Sequence, residues 1–385
     1  MTRLGRALAR ISFWPTVFVF LALAFVSVGV LRFTRGLGAT TNLSDRFPWG
    51  LWIGFDVLCG VGLAAGAFTL TSVVHLLHLR RFEPIVRPAI LTAFLGYLFV
   101  IVALLFDLGQ PWRIWHALVF WNPHSVMFEV AWCVMLYTTV LGLEFSPVFF
   151  ERLGLARPRR VLQAVYTPLV IAGVILSTLH QSSLGSLYLI VPSKLHPLWY
   201  SSLLPLFFFI SAVGAGMGMV ILESYLSRRA FGRQLEMEIL EPLGRAMAVV
   251  LSVYGILRLL VLRRNGALGG LREGGYEAWM FVVEIGLGVA LPVLLLAMPR
   301  ARASQGGLVA AAFLAVLGFV MNRLNVSVTG MERAAGVRYL PSWMEVVVSL
   351  GFVAMAFAAF AAAVRFLPIF PQAAEPAEAD DSLAA

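Results

Sequence analysis

Residues 88–107 read PAILTAFLGYLFVIVALLFD and carry no charge before the final aspartate. A helical stretch of about 20 apolar residues is as long as the hydrocarbon core of a bilayer is thick. Similar stretches recur along the whole chain, in which 60% of the 385 residues are hydrophobic and only 13% are charged. The sequence therefore predicts an all-α, polytopic membrane protein and excludes an ordinary soluble domain.

Ten stretches are long enough to cross a bilayer, and we number them spans one to ten. They are residues 13–32, 50–77, 88–107, 123–146, 161–180, 202–227, 243–262, 276–298, 306–323 and 343–367. Span one follows a basic N-terminal segment, as the core of a signal peptide does, but it is longer than the ~7–15 residues of such a core. We expect it to remain as an uncleaved span.

A weak internal similarity relates two of the spans. Met127-Phe128-Glu129 opens span four, and Met280-Phe281 with Glu284 lies in span eight. This similarity predicts two related four-helix bundles with one flanking helix at each end. The predicted units are residues 1–46 with span one and an outer loop, 47–200 with the first bundle, 201–342 with the second bundle, and 343–385 with the last span and an acidic, disordered tail.

The net charge of +9 does not indicate a nucleic-acid partner, because the arginines fall in short loops between spans. Basic loops on the cytoplasmic side are typical of membrane proteins. The excess of cations on the side of the N-terminus predicts that both termini are cytoplasmic. Cys59 and Cys133 both lie inside spans, so the sequence predicts neither an iron–sulfur cluster nor a metal site built on thiolates.

Ionisable residues inside or at the edges of the spans are the strongest functional signal. They are Asp56, Asp107, Glu129, His180, Glu223 and Glu284. Such a group at the centre of a bilayer costs about 2.5–3.5 kcal/mol, and it usually marks a path for a substrate, an ion or a proton. The first four lie at the outer ends of spans two to five, where we expect them to meet in one apolar pocket.

The segment between spans three and four reads PWRIWHALVFW at residues 111–121 and is typical of an interfacial helix. We expect it to cover the predicted pocket. Most of the 10 tryptophans fall on the same side as this segment, which predicts a surface that binds more than lipid. Those tryptophans are Trp49, Trp52, Trp112, Trp115, Trp121, Trp199, Trp279 and Trp343.

An apolar pocket with a few proton-exchanging groups suits a quinone, whose ring and tail need apolar walls and whose carbonyls need hydrogen-bond donors. His180 is the predicted donor, and the carboxyl groups would relay protons. Structural alternatives remain for each residue. Glu129 could be a dipole partner at a helix N-terminus, Asp107 could pair with Arg113, and Asp56 and His180 could be ordinary buried polar groups.

Two further groups of polar residues lie deeper in the spans. Tyr97, Arg87 and His75 could continue a proton path from Glu129 to the cytoplasm, although a snorkelling arginine and an interfacial histidine are an equal alternative. The second bundle contains charged residues that we expect to form ion pairs that fix the helix register. These residues are Glu223, Arg258, Glu284, Arg323 and Glu345.

Several segments resemble the NrfD/polysulfide-reductase family of membrane subunits, with the closest likeness to the HybB-type subunit of nickel–iron hydrogenases. The resemblance covers nearly the whole chain, and its most specific parts are FPWGLWIGFD at 47–56 and HQSSLGSL at 180–187. The other segments are VRPA at 86–89, LGY at 95–97, SVMFE at 125–129, LEFSP at 143–147, HPLW at 196–199, PSW at 341–343 and GFVA at 351–354.

The resemblance implies a quinone-reactive subunit of the bacterial cytoplasmic (inner) membrane. Menaquinone or ubiquinone would be its substrate, bound by Asp56, Asp107, His180, Gln181 and Trp112. A carboxylate at position 129 would conduct protons, and the chain would hold no haem or iron–sulfur cluster of its own. Its partners would be a periplasmic, ferredoxin-like iron–sulfur subunit and, through it, a catalytic subunit such as a nickel–iron hydrogenase.

Two other functions compete with this interpretation. A secondary transporter or proton-conducting protein also uses buried charges, but its binding site is expected near the bilayer midplane rather than in one leaflet. A purely structural membrane anchor leaves the predicted cluster of four ionisable groups unexplained. The sequence favours electron transfer between a soluble partner and the quinone pool.

Overall fold

The computed structural model describes residues 13–232, 236–272 and 274–370. The regular elements of these residues are all helices, of which ten are long and apolar enough to cross a membrane, and the described segments contain no strand. The ten spans are Thr16–Arg35, Trp52–Leu76, Arg80–Asp107, Val126–Arg152, Tyr166–Ser186, Leu204–Phe231, Met237–Arg264, Tyr276–Ala297, Gln305–Ala335 and Trp343–Phe366. The predicted all-α, polytopic membrane protein is confirmed.

Local chemistry fixes where several spans begin. Span four starts after Ser125, whose side chain accepts a hydrogen bond from the Phe128 amide. Span ten starts with a capping box, in which Ser342 and Glu345 each accept a bond from the other's backbone N–H. Around the outside of the molecule, large apolar side chains are exposed, and Phe20 of span one is 74% exposed. These side chains face the lipid of an integral membrane protein.

Consecutive spans pack against one another in two rings. Spans two, three, four and five contact in that order, and span five returns to span two. Spans six, seven, eight and nine do the same, while spans one and ten pack on each other and against span three. The predicted division at residue 200 stays a prediction, because spans two and six also pack closely across it.

The contact between spans two and six explains part of a small-residue pattern. Gly62-x-x-x-Gly66 and Gly214-x-x-x-Gly218 predict close approach of helix backbones. At Gly66 the approach is real, since a Cβ atom there would overlap the Ala212 carbonyl of span six. Gly216, which lies outside the predicted motif, faces the Gly66 backbone in turn. Only glycine allows these two backbones to lie so close.

Three spans contain a short π-helical segment. These segments are Trp52–Val57 in span two, Gly286–Ala290 in span eight and Asn325–Thr329 in span nine. A π-helical turn inserts one extra residue and turns the following side chains relative to the rest of the helix, and it is common at functional sites. Asp56 lies in the first of these segments, and Glu284 lies two residues before the second.

Candidate functional site

A cavity of about 570 Å³ lies between spans two, three, six, nine and ten. The volume of this cavity is within the range of pockets that hold small organic ligands. We define the outer side of the molecule as the side on which span two begins. Much of the cavity wall is aromatic: Phe55, Phe99, Phe231, Phe352, Phe357 and Phe360. From Phe352 to Ala361 the wall follows span ten for about 14 Å, at the helical rise of 1.5 Å per residue.

One buried carboxyl group lies toward each end of this cavity. At the outer end the Ser349 hydroxyl of span ten donates a 2.8 Å hydrogen bond to Asp56 Oδ2. Toward the inner end the Thr92 hydroxyl of span three donates a 2.6 Å bond to Glu223 Oε2. Both carboxyl groups belong to buried residues that line the cavity. The cavity is therefore apolar along its length and polar near both ends.

A second set of polar side chains lies in the interior of spans two to five. The Tyr97 hydroxyl and His180 Nδ1 share a 2.8 Å hydrogen bond, and both side chains are completely buried. His180 Nε2 and both polar atoms of the Gln181 amide are buried without a hydrogen-bond partner. The ring of Tyr137 packs edge-on against Tyr97 at 4.6 Å. The structure thus joins Tyr97 to His180, a contact that the sequence did not predict.

Glu129 lies at the outer end of the space enclosed by spans two to five, which we call the outer mouth. Its Oε1 accepts a 2.5 Å hydrogen bond from the Ser183 hydroxyl, which ties span four to span five. The residue itself is exposed, not buried. The sequence predicted that Glu129 lies in an apolar pocket, but in the structure it lies in the first turn of span four, at the open outer end of that helix.

The four groups predicted to meet in one pocket are divided by span two. Asp56 faces span ten, whereas His180 and Glu129 are held by contacts among spans three, four and five. Asp107 lies near Arg32 of span one, whose guanidinium donates to the Phe106 carbonyl at 2.6 Å and the Leu108 carbonyl at 2.5 Å. The cation that acts on Asp107 is Arg32, and not Arg113, which the alternative structural role of Asp107 named as its partner.

The segment at 111–121 does not form one interfacial helix. It contains a 3₁₀ turn at Pro111–Arg113 and a short helix at His116–Val119. Its tryptophans are largely exposed, with Trp112 at 66%. Trp132 of span four donates a 3.0 Å bond to the Ala117 carbonyl and so holds the segment from below. Trp112 is therefore placed on the outer surface and does not line the cavity between spans two, three, six, nine and ten.

The inner members of the predicted proton path are separated in the structure. Arg87 forms an ion pair with Glu151 at 3.1 Å and donates to the Pro368 carbonyl at 2.9 Å. Its side chain is partly exposed at the inner ends of spans three and four. His75 instead packs its ring edge-on against Tyr166 at 4.6 Å. His75 thus lies at the inner end of the ring formed by spans two to five, and Arg87 lies apart from it.

Polar residues of the second ring form hydrogen bonds instead of the expected ion pairs. Glu284 accepts bonds from Trp199, Asn322 and Asn325, at 2.7–2.8 Å. Asn322 in turn accepts a 2.7 Å bond from Arg323, so an amide bridges the two charges.

Two more of the predicted ion-pair residues bind backbone groups. Arg258 donates to the Leu198 and Trp199 carbonyls. Glu345 accepts bonds from the Asn42 and Ser342 amides. These residues hold loops to helices.

Sequence reasoning missed several partners. The sequence did not predict the hydrogen bonds of Ser349 to Asp56 and of Thr92 to Glu223, because each pair is separated by more than a hundred residues in the sequence. Tyr137 and Glu144 had a usable signal, since they follow Glu129 and Cys133 on one face of span four at helical spacing. Among the described residues, no group of three or more His, Cys, Asp or Glu side chains gathers to hold a metal ion.

Comparison with known proteins adds an independent finding. The sequence model of the family described as Polysulphide reductase, NrfD matches residues 39–335. A Nitratidesulfovibrio vulgaris protein is 46% identical over 83% of this chain and 85% of its own length. The probable Ni/Fe-hydrogenase 2 b-type cytochrome subunit of Escherichia coli strain K12 is 34% identical over 89% and 88%. The integral membrane subunit of menaquinone reductase from N. vulgaris is 31% identical over 96% and 94%.

Proposed function

Because this chain belongs to the polysulphide reductase NrfD family, we propose that it is the quinone-reactive membrane subunit of a respiratory redox complex. The observation that carries the proposal is the apolar cavity with the Asp56–Ser349 pair at its outer end. The cavity suits the isoprenoid tail of menaquinone or ubiquinone. The outer pair suits the quinone ring, because a protonated Asp56 can donate to a carbonyl oxygen while the Ser349 hydroxyl holds the other carboxyl oxygen.

The proposed reaction is reversible quinone reduction. Two electrons from a partner protein and two protons convert the two carbonyls of the quinone to the hydroxyls of a quinol. Asp56 can hold one of these protons next to a ring carbonyl, and Ser349 can orient the carboxyl group. Asp107, at the end of span three, would be a further group that relays protons, and the nearby Arg32 partly offsets the charge of its carboxylate.

Proton supply is the second part of the proposal. Tyr97 and His180 form a hydrogen-bonded pair able to pass a proton, and Gln181 offers unpaired amide atoms beside it. Glu129 would exchange protons at the outer mouth through Ser183. His75 is the inner candidate of this path. Arg87 would contribute only through its ion pair with Glu151 at the inner surface.

We propose that the electron donor or acceptor is a periplasmic, ferredoxin-like iron–sulfur protein on the outer face. Trp112, Trp115, Trp121, Trp279 and Trp343 are all at least half exposed there, as in protein interfaces rich in aromatic residues. A catalytic subunit such as a nickel–iron hydrogenase would lie beyond it. This arrangement requires the bacterial inner membrane with both termini in the cytoplasm, and the terminal segments themselves lie outside the described residues.

The name of the E. coli relative includes a b-type cytochrome, which raises the question of haem. A haem b held by two histidines needs one on each side of the iron. His180 keeps Nε2 free of hydrogen bonds beside its Tyr97 bond, but His75, the other histidine at the edge of the first ring, lies at the far end of span two and contacts Tyr166. His196 belongs to the outer loop and accepts a bond from the Leu198 amide. These residues do not fit a bis-histidine haem, and we derive no step through one.

A test uses the intact complex in membranes, with quinone reduction and reduction of a soluble dye measured in parallel. Asp56→Asn and Ser349→Ala should lower quinone turnover, the first by about 10²–10⁴-fold as for a lost acid–base group. Dye reduction should be unchanged, because it bypasses the membrane. Asp45→Asn, in the exposed outer loop, is the matched control. Equal loss of both activities in Asp56→Asn would contradict the proposal, and substrate uptake without redox activity would favour a transporter.

A further inference from the structure

Glu144 of span four is a buried carboxyl group that the proposed function does not yet use. It is almost completely enclosed, and neither of its oxygens has a hydrogen-bond partner among the described residues. Asp107, the other carboxyl group with an unpaired buried atom, has one such oxygen and not two. An unpaired polar group inside a protein costs free energy, and a buried carboxylate costs far more. Glu144 therefore needs either a proton or bound water.

Among the described residues, no cation offsets the charge of Glu144. Gly173 of span five faces it so closely that a Cβ atom there would lie 3.5 Å from Glu144 Oε1. Phe68 of span two covers the same place. The groups that interact with it electrostatically are the phenols of Tyr137 and Tyr166. Because the site has no ion pair, an ordinary structural role for a carboxylate does not explain it.

Toward the outer side, Glu144 is connected to the buried pair described above. Tyr137 lies two helical turns before Glu144 on the same face of span four. Its ring packs on Tyr97, whose hydroxyl is bonded to His180. The Tyr137 hydroxyl is buried and makes no hydrogen bond among the described residues. The Ser177 hydroxyl of span five lies 3.3 Å from that of Thr69 in the same interior. Ordered water between these groups would complete a path from Glu144 to the Tyr97–His180 pair.

Toward the inner side, Glu144 is connected to a partly exposed histidine. Tyr166 begins span five and packs against His75 at 4.6 Å. Ser72, one turn before His75 on span two, is buried with an unpaired hydroxyl. Buried groups of this kind are normally satisfied by ordered water. The inner half of the ring therefore contains the groups that a short chain of water molecules requires.

Distances along span four give Glu144 a defined position. It follows Glu129 by fifteen residues, or about 22 Å at the helical rise. The hydrocarbon core of a bilayer is about 30 Å thick, so the two carboxyl groups lie toward opposite sides of it. Tyr97 and His180 lie between them.

We propose that Glu144 is the proton-accepting residue of the inner half of the proton path within spans two to five. It accepts a proton from the His75 end through Tyr166 and water, and it passes the proton on, through Tyr137 and water, to the Tyr97–His180 pair. Each transfer protonates one Glu144 oxygen and then restores the carboxylate, so no electron or other atom is exchanged. The inference rests on the proposed quinone function and assigns the cytoplasmic side as a source of its protons.

The test compares Glu144→Gln, Glu144→Asp and the control Glu241→Gln in the intact complex reconstituted into liposomes. Glu241 is an inner-side carboxylate paired with Arg302 in the second ring. Quinone turnover is measured together with proton uptake from the inner side. Infrared difference spectra on quinone reduction record the C=O stretch of a protonated carboxylic acid. Turnover and inner proton uptake should fall about 10²-fold in Glu144→Gln and less in Glu144→Asp.

The infrared band should disappear in Glu144→Gln, shift in Glu144→Asp and stay in Glu241→Gln. If Glu144→Gln fails to assemble, Glu144→Asp tests the proposal in its place, because it keeps the carboxyl group and retracts it by one methylene. An unchanged band and unchanged turnover in the assembled variants would overturn the role of Glu144 and leave the quinone function intact. Absence of quinone turnover in the wild-type complex with an active partner would instead contradict the proposed function itself.

Discussion

Tyr97→Phe removes one hydroxyl from the centre of the first ring and leaves the shape of the side chain unchanged. The hydroxyl is half of the 2.8 Å bond to His180 Nδ1, and both residues are completely buried. His180 Nε2 is already unpaired, so the variant leaves both ring nitrogens without a partner. The expected loss of stability is about 1–3 kcal/mol, the cost of an unsatisfied buried group.

The assay combines thermal unfolding of the detergent-solubilised protein with quinone turnover in the intact complex. Tyr200→Phe is the control, because it removes a phenol hydroxyl that makes no hydrogen bond among the described residues. We expect a lower unfolding temperature for Tyr97→Phe and an unchanged one for Tyr200→Phe. If Tyr97 also passes protons, its quinone turnover should fall by about 10²–10⁴-fold.

A double-mutant cycle with His180→Leu separates the two effects. Because the two side chains are in contact, their stability changes should be non-additive by about 0.5–3 kcal/mol. Unchanged stability in Tyr97→Phe would refute the reasoning about the buried pair. Lower stability with normal turnover of the folded fraction would limit the pair to a structural role.

Three further outcomes are expected. Glu129→Gln should lower quinone turnover and Glu129→Asp should retain part of it, because the carboxylate accepts the Ser183 hydroxyl at the outer mouth; wild-type turnover in Glu129→Gln would make Glu129 a helix-terminus charge only. Gly66→Val should abolish accumulation of the protein in membranes, because its side chain would overlap the Ala212 backbone of span six, and normal accumulation would mean that the two spans can separate. The purified chain should show no b-type band in a reduced-minus-oxidised spectrum, since its histidines do not face in pairs, and a stoichiometric band would disprove this.

Hydropathy alone was enough to predict the ten spans. The cost of burying charge in lipid fixes their number and approximate length, and the structure extends several of them at the ends, span nine as far as Ala335. Hydropathy contains less information about helix rotation. Span two is apolar on nearly all sides, so the sequence did not show that Asp56 turns toward span ten and away from His180.

Burial was harder to predict than position. Glu129 is near the outer end of span four as expected, but a position one turn from an open helix end leaves it exposed. Glu144 lies two residues before the end of the predicted span four, 123–146, yet the helix continues to Arg152 and the residue is buried. The end of an apolar run therefore does not mark the end of a buried helix.

The central claim is that the quinone ring lies at the Asp56 end of the cavity between spans two, three, six, nine and ten. Photolabelling of the complex with an azido-quinone, followed by peptide mapping, tests it directly. We expect labelled peptides from span three around Phe99–Ala103 and from span ten around Phe352–Ala356, both competed by unlabelled quinone. Competed labelling confined to spans four and five would rule out a quinone ring beside Asp56.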